Sequence, residues 1–221
     1  YHTIVVLRDI YILGMGGFGP ELIQLLRHSY ASEEYRYAGY FDDLVPRPEE
    51  SSAQYRGPIN AAADLPTGTA LLLGTFLPSI KEAILNTLAR NIERFEFPNI
   101  LHRSVRWEAE ELRLGQGNVI QGGCWFTTDI TMGNFNSFNH GVTVGHGVRI
   151  GSHNAFMPQV ALAGEVEVGD SNLLALHSSI LQAKKMGNRQ HLGPHACLMS
   201  HANLSAPGTL WMGVPALSQT R

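Results

Sequence analysis

Residues 144–174 read VGHGVRIGSHNAFMPQVALAGEVEVGDSNLL, with a large apolar residue at every sixth position. The same phase holds without exception from Leu114 to Leu210, although only 44% of the chain is apolar. A period of six is a multiple of the strand period and does not fit a helix. The repeat therefore predicts a hexapeptide β-helix, in which the chain turns a corner every six residues and stacks its turns. The apolar positions are Leu114, Ile120, Phe126, Met132, Phe138, Val144, Ile150, Phe156, Leu162, Val168, Leu174, Ile180, Met186, Leu192, Leu198, Leu204 and Leu210.

Two further positions of the repeat agree with this prediction. Glycine follows the apolar residue at 115, 133, 145, 151, 169, 187 and 193, where we expect a turn without room for a Cβ. Small, β-branched or asparagine side chains stand four positions after the apolar residue, as a tight corner requires. Lys184 and Gln190 break this second pattern. We therefore expect the coil around residues 183–191 to be distorted or to face a partner.

The first hundred residues carry a different pattern. The apolar run Ile10–Leu13 is followed by the glycine-rich stretch GMGGFG at residues 14–19, and a helix-like pattern then continues to about His28. Strand, glycine loop and helix open a nucleotide-binding βαβ unit. Glycines there let the backbone approach a pyrophosphate at the helix N-terminus. The alternative is a tight turn with no ligand.

Further predicted elements complete a small domain. They are strands at Tyr37–Phe41, Ala70–Leu73 and Pro98–Leu101, and a helix at Pro78–Ala89. Asp42 and Asp43 end the first of these strands, where an acidic pair binds a ribose or a uracil, or forms only a solvated turn. We predict an α/β Rossmann-like domain over residues 1–101, large enough for one nucleotide-bearing ligand but not for a whole NAD. The β-helix domain takes residues 102–221.

Composition narrows the remaining classes. The net charge of −3 gives no electrostatic case for nucleic acid, and no apolar run is long enough for a membrane span. Residues 1–9 lack the basic region of a signal peptide, and Ile4–Leu7 fits either a short strand or a segment foreign to the native chain. Cys124 and Cys197 are too few for a disulfide framework and are expected to be small core residues. We expect a cytoplasmic protein.

Five segments together resemble the sialic-acid O-acetyltransferase-like family of sugar acyltransferases. They are residues 10–19 (IYILGMGGFG), 40–43 (YFDD), 97–105 (FPNILHRSV), 138–151 (FNHGVTVGHGVRIG) and 213–216 (GVPA). The resemblance implies a left-handed parallel β-helix behind the Rossmann-like domain. It also implies acetyl-CoA-dependent acetylation of a nucleotide-linked amino sugar in bacterial surface-glycan synthesis, with no metal. The family forms homotrimers with each active site between two neighbouring prisms.

The resemblance also implies roles for individual residues. His146 falls on the catalytic base, although a register slip of six residues would choose His140 instead. The positions that match substrate-binding residues are Gly16, Gly17, Phe18, Asp42, Asp43, Gly74 and Asn139. The positions that match the acetyl-CoA groove are Ala155, Leu176 and Pro194.

The chain departs from the family pattern at two positions. Gly147 stands where the family has an Asp or Glu that holds the catalytic imidazole. Ala155 replaces a second histidine that often contacts the thioester, and His153 is a poor substitute because it lies roughly 6–7 Å along the strand. The missing carboxylate has to be supplied by another residue or by a neighbouring subunit if His146 is an efficient base.

The chemistry itself follows from the residue types. A neutral histidine is the best general base near neutral pH, and a backbone N–H from a neighbouring coil is a suitable oxyanion donor. No Ser or Cys carries a nucleophile signature, so direct transfer is expected. It remains open from the sequence whether an amine or a hydroxyl is acetylated, and on which nucleotide and sugar.

Two other functions compete with this one. His177 and His195 are eighteen residues apart and should stack on successive coils, while His153 and His201 share their position in the hexad. These histidines form either an exposed polar ladder or a zinc site like that of the γ-carbonic anhydrases. The other alternative is a catalytically weakened β-helix protein that binds ligands or assists assembly.

Overall fold

The computed structural model describes residues 7–44, 54–108, 110–200 and 207–219. The chain divides into two compact units, Tyr1–His102 and Arg103–Arg221. This division lies one residue after the predicted boundary between residues 101 and 102. Among the described residues no helix has the length and apolar character to cross a membrane. The early segment Ile4–Leu7 falls almost wholly outside the described part.

The first unit contains a small parallel sheet. The elements of this unit in chain order are β1 (Arg8–Leu13), α1 (Phe18–Arg27), β2 (Tyr35–Phe41), β3 (Ala70–Leu73), α2 (Pro78–Thr87) and β4 (Ile100–Leu101). Single 3₁₀ segments lie at Tyr30–Glu33, Ile59–Asp64 and Ala89–Arg94. Strands β1, β2 and β3 pair in the order β2-β1-β3, all parallel. The strand–loop–helix opening predicted from the glycine-rich stretch is confirmed.

The helices of this unit form for recognisable local reasons. In α1 the apolar side chains Leu22, Leu25 and Leu26 recur at helical spacing and are buried. Helix α2 begins at Pro78, where the missing N–H leaves no intrahelical bond unmade. Burial of the Lys81 ammonium in α2 lowers its pKa to about 7.

The second unit is a parallel β-solenoid whose short strands form three faces. The first face contains β5 (Leu112–Leu114), β8 (Ile130–Met132), β11 (Arg149–Ile150), β14 (Glu167–Val168) and β17 (Lys185–Met186). The second contains β6 (Val119–Ile120), β9 (Ser137–Phe138), β12 (Ala155–Phe156), β15 (Leu173–Leu174), β18 (His191–Leu192) and β20 (Leu210–Met212), and β21 (Leu217–Gln219) pairs antiparallel with β20. The third contains β7 (Trp125–Phe126), β10 (Thr143–Val144), β13 (Ala161–Leu162), β16 (Ser179–Ile180) and β19 (Cys197–Leu198).

The six-residue period builds the core of this solenoid. Strand partners such as Val144 and Leu162 are eighteen residues apart, so three hexads make one coil. Every predicted apolar position from Ile120 to Leu198 is buried. The repeat prediction is wrong at Leu210, because Leu192 pairs with Trp211 and Leu210 is only half-buried. One extra residue has therefore entered the last coil, and Leu204 lies outside the described residues.

Two different requirements shape the corners. The third residue after each apolar position has a left-handed backbone, with φ between 52° and 76° from Gly117 to His195. The glycine directly after the apolar residue answers a steric requirement instead: a Cβ on Gly145 would lie 2.7 Å from the Gly164 nitrogen. The sequence anticipated the lack of space but not the left-handed position.

A buried asparagine ladder runs between the first and second faces. Each Nδ2 donates to the Oδ1 of the asparagine one coil before, at 3.0 Å. The ladder contains Asn118, Asn136, Asn154 and Asn172. Gln190 ends it, with its N–H 2.7 Å from Asn172 Oδ1 and its Oε1 accepting from Trp211 Nε1 at 3.0 Å. The predicted distortion near residues 183–191 is therefore wrong, since β17 and β18 keep their register, and the alternative that this coil faces a partner stays a prediction.

The two cysteines have different environments. Cys124 lies in the core, and burial raises the pKa of its thiol to about 12. Cys197 is half-buried beside the inward Leu198, so the expectation that it is a core residue is wrong. Both are free thiols.

Candidate functional site

The first unit contains a cavity of about 530 Å³. It is lined by the residues Gly14, Gly16, Gly17, Phe18, Asp42, Asp43 and Gly74, together with apolar residues of α2 and the loop before it. The structure thus brings together all the substrate-binding residues that were predicted in this unit. They meet because the carboxyl ends of β1, β2 and β3 lie at one edge of a parallel sheet.

One wall of the cavity is apolar. Phe18 and Phe76 pack with ring centroids 4.0 Å apart, and Leu77 and Ile80 are exposed by 46% and 43%. Ile84 of α2 completes this wall. An exposed apolar wall opposite polar backbone and carboxylates suits a ligand with a flat ring and a charged or hydroxylated part.

The acidic pair organises the opposite wall. Asp42 Oδ2 accepts a hydrogen bond from the Met15 N–H at 2.5 Å, and its Oδ1 accepts one from the Leu44 N–H at 2.8 Å. Asp43 Oδ1 accepts from the Ile59 N–H at 2.9 Å. Asp42 is therefore tied to the glycine loop, and Asp43 is exposed at the cavity.

The glycines of this unit divide into two kinds. A Cβ on Gly74 would lie 1.8 Å from the Gly14 carbonyl oxygen, so the crossing of two chain segments requires glycine there. Cβ atoms on Gly16 and Gly17 would meet nothing within 4 Å. The fold does not need glycine at these two positions, which stand in the cavity wall at the start of α1. Free N–H groups at a helix start favour an anion such as a phosphate.

In the second unit, His146 lies on the corner between the third and first faces, which we call the His146 corner. It comprises residues 127–129, 145–147, 163–165 and 181–183. The His146 side chain is exposed, and its ring covers Gly164 of the next coil. A Cβ on Gly164 would lie 2.4 Å from Nε2 and 2.6 Å from Cε1 of that ring. Gly164 thus provides the space in which the imidazole rests.

His140 lies on a different edge of the solenoid, the corner between the second and third faces. This His140 corner comprises residues 121–123, 139–141, 157–159, 175–177 and 193–195. His140 and His146, six residues apart, therefore lie on different edges of the solenoid and not in the same groove. The predicted Asn139, Leu176 and Pro194 share the His140 corner. Leu176 and Pro194 are exposed.

Two of the residues predicted to bind the substrate or acetyl-CoA, Asn139 and Ala155, are largely buried. Asn139 is 8% exposed, and its Oδ1 accepts a hydrogen bond from the His140 N–H at 2.8 Å. Ala155 on the second face is fully buried. His153 lies on a corner, where its ring stacks on Phe135 with centroids 5.4 Å apart.

The predicted histidine stacking is confirmed. The rings of His177 and His195 are 5.0 Å apart and 8° from parallel, and both side chains are exposed. His153 occupies another corner despite its equivalent position in the hexad, and His201 lies outside the described residues. Within the described ranges no three His, Cys, Asp or Glu side chains gather into a group able to hold a metal ion.

Two residues of the His146 corner were missed by the sequence reasoning. Within its own hexad neither Gly164 nor Glu165 carries a signal, and only the eighteen-residue spacing of the repeat relates them to His146. Reading it at intervals of eighteen places residue 164 beside 146 and residue 165 beside 147, as the strand pairing shows.

Comparison with solved structures shows that this fold is known over the whole chain. A variant of perosamine N-acetyltransferase from Caulobacter crescentus, in complex with CoA and GDP-perosamine, has a TM-score of 0.82 at 22% identity and covers 99% of this chain and 100% of its own. The acetyltransferase domain of PglB from Neisseria gonorrhoeae, in complex with acetyl coenzyme A, has a TM-score of 0.83 at 18% identity, with 97% and 100% covered. WeeI from Acinetobacter baumannii has a TM-score of 0.78 at 18% identity, with 96% and 100% covered.

Both units of this chain therefore have the fold of these structures. No family model matches the sequence, and no curated protein matches it either. The structural neighbours include acetyltransferases, among them one that acts on an amino sugar.

Proposed function

We propose that this protein transfers the acetyl group of acetyl-CoA to the amino group of a nucleotide-linked sugar. The observation that carries the proposal is the fold likeness along both units to an N-acetyltransferase whose structure contains CoA and GDP-perosamine. A β-solenoid alone would leave the function open, because folds host many activities. The cavity in the first unit adds a site suited to the nucleotide part of the acceptor.

In this proposal the first unit is Rossmann-like and binds the nucleotide. The apolar wall formed by Phe18 and Phe76 takes the base, and Asp43 accepts hydrogen bonds from hydroxyl or N–H groups. The diphosphate lies against Gly16 and Gly17 at the start of α1, where a side chain would occupy its place.

His146 is the general base of the transfer in the second unit. The neutral imidazole takes a proton from the acceptor amine as the nitrogen attacks the thioester carbonyl carbon. The C–N bond forms, the C–S bond breaks, and the His146 imidazolium returns the proton to the sulfur, which leaves as CoA thiol. The Gly164 N–H, which has no acceptor among the described residues, donates to the oxyanion.

The remaining features of the proposal concern assembly and place. The solenoid is left-handed and forms homotrimers, with Leu176 and Pro194 along the acetyl-CoA groove and Asn139 at the acceptor. Ala155 is left out of this groove because its side chain is fully buried. The enzyme acts in the cytoplasm, in the synthesis of bacterial surface glycans. No metal takes part in the transfer.

A thiol-release assay tests this proposal. Acetyl-CoA is offered with GDP-, UDP- and dTDP-linked amino sugars, and at least one is expected to release CoA at a rate that saturates. His146→Ala should lower kcat by roughly 10²- to 10⁴-fold, the usual contribution of a general base. His28→Ala is the matched control, because it removes an exposed histidine at the end of α1 that belongs to neither corner, and its kcat should stay within a few-fold of the wild type. Equal losses in the two variants, or no release with any acceptor, would contradict the proposal.

A further inference from the structure

The His146 corner has no carboxylate directly beside the histidine, because residue 147 is glycine. A carboxylate that accepts the N–H of an imidazole fixes its tautomer, and the other ring nitrogen is then free to take a proton. Three acidic residues share the turn position of Gly147 at intervals of eighteen residues. Asp129 lies one coil before Gly147, Glu165 lies one coil after it, and Glu111 lies two coils before it.

Asp129 is already engaged. Its Oδ1 accepts from Arg113 Nη2 at 2.5 Å, and its Oδ2 accepts from Arg149 Nη2 at 2.7 Å. The hydrogen bond from Arg149 and the charges of both guanidinium groups hold the pKa of Asp129 below its usual value. Both carboxylate oxygens are therefore committed to arginines on the first face.

Glu165 is not engaged in this way. Within the described ranges its carboxylate accepts no hydrogen bond and joins no ion pair, and the side chain is exposed. Its backbone N–H donates to the His146 carbonyl oxygen at 2.7 Å, which locks the two residues together across the coils. The Glu165 Cγ lies 3.5 Å from the place where a Cβ on Gly147 would be. The Glu165 side chain therefore lies over the position where a neighbouring carboxylate would begin.

The ring of His146 is directed toward the same coil. It covers Gly164, the residue before Glu165, and Nε2 is the ring atom nearest to the place where a Cβ on Gly164 would be. Among the three acidic side chains at this turn position, Asp129 is bound by Arg113 and Arg149, and Glu111 accepts the Asp129 N–H at 2.8 Å. Glu165 is the one whose carboxylate has no such partner among the described residues and lies in the coil that the imidazole covers.

We propose that Glu165 is the positioning residue of His146 and replaces, from the next coil, the carboxylate that is missing at residue 147. The exposed Glu165 side chain, which has no hydrogen-bond partner among the described residues, turns toward His146 so that its carboxylate accepts the N–H of one ring nitrogen. The other ring nitrogen then stays unprotonated and faces the acceptor. This inference rests on the proposed function, in which His146 is the base. Because the pair is exposed, its effect is expected to be smaller than that of a buried carboxylate–histidine pair.

Glu165→Gln tests the proposal, with Glu167→Gln as the matched control. Glu167 is exposed on the same coil and pairs with Lys185 at 2.8 Å, so its substitution removes the same charge away from His146. In Glu165→Gln we expect kcat to fall roughly tenfold with KM within twofold. The ¹⁵N signals of the His146 side chain should show a mixture of tautomers. Glu167→Gln should leave both unchanged.

A second variant separates this role from a loss of stability. Gly147→Asp in the Glu165→Gln background places a carboxylate beside His146, and Asp129 shows that this turn position accepts an aspartate with φ 52°. Recovery of kcat and of a single tautomer supports the proposal. An unchanged kcat and tautomer in Glu165→Gln overturns it. If the wild type transfers no acetyl group, the proposed function fails instead, and the tautomer of His146 still decides the role of Glu165.

Discussion

Gly164 is the single residue on which the placement of His146 depends most directly. Its backbone is outside the left-handed region, so the imidazole is the obstacle to an alanine there, with Nε2 at 2.4 Å. We expect Gly164→Ala to lower kcat at least tenfold, because the imidazole has to leave its place, and to destabilise the protein by only about 1 kcal/mol, because the exposed ring can move aside.

A double-mutant cycle checks this explanation of Gly164→Ala. In a His146→Ala background the clash is absent, so the same substitution should cost less than about 0.5 kcal/mol in urea unfolding. Equal destabilisation in both backgrounds would show that the solenoid backbone, and not the imidazole, requires glycine at 164.

For single residues, the sequence predicted which residues belong to the candidate site better than it predicted which side chains contact them. His146 could be placed on a corner from its distance to Val144, and the lack of a carboxylate at Gly147 was visible at once. The relation to Gly164 and Glu165 was hidden, because contacts across coils depend on side-chain direction as well as on the eighteen-residue spacing. Asn139 is another case in which the sequence did not predict a contact, because its side-chain Oδ1 accepts a hydrogen bond from the His140 N–H of the same turn.

At the scale of elements, the glycine loop combines a structural glycine with glycines that the fold does not need. Gly74→Ala should lower the free energy of unfolding by about 2 kcal/mol or more, because its Cβ would meet a backbone oxygen. Gly16→Val should change stability by less than about 0.5 kcal/mol, since that position is open. It should nevertheless weaken binding of a GDP- or UDP-sugar at least tenfold in calorimetry. Wild-type affinity in Gly16→Val would show that the diphosphate does not lie against this loop.

The elements were largely predictable, and the exceptions have physical causes. The period of six could not reveal the extra residue in the last coil, because Leu210 is apolar and in phase, although Trp211 takes the place beside Leu192. Gln190 looked like a break in the repeat, yet it ends the asparagine ladder with its backbone N–H on Asn172 Oδ1, and its side-chain Oε1 accepts a hydrogen bond from the Trp211 indole N–H. A polar residue fits a buried ladder when its polar groups find hydrogen-bond partners, and a hydropathy pattern does not show these partners.

At the scale of the whole molecule, the proposed trimer has a consequence that a single chain cannot show. If each active site takes His146 from one protomer and the groove at Leu176 from its neighbour, then defects in the two residues should complement each other. His146→Ala and Leu176→Arg are each expected to be inactive as homotrimers. In equal random mixtures, about one quarter of the sites join an intact His146 to an intact groove.

We therefore expect co-expressed His146→Ala and Leu176→Arg chains to recover about one quarter of the wild-type rate per site. Native mass spectrometry of the same sample should show mixed trimers. A mixture of His146→Ala with Glu167→Gln does not test complementation, because Glu167→Gln is active by itself, but it calibrates the rate expected for random assembly. Mixed trimers without recovery would mean that His146 and Leu176 serve the same site within one protomer. That outcome would require a different course for acetyl-CoA, since the two residues lie on different edges of the solenoid.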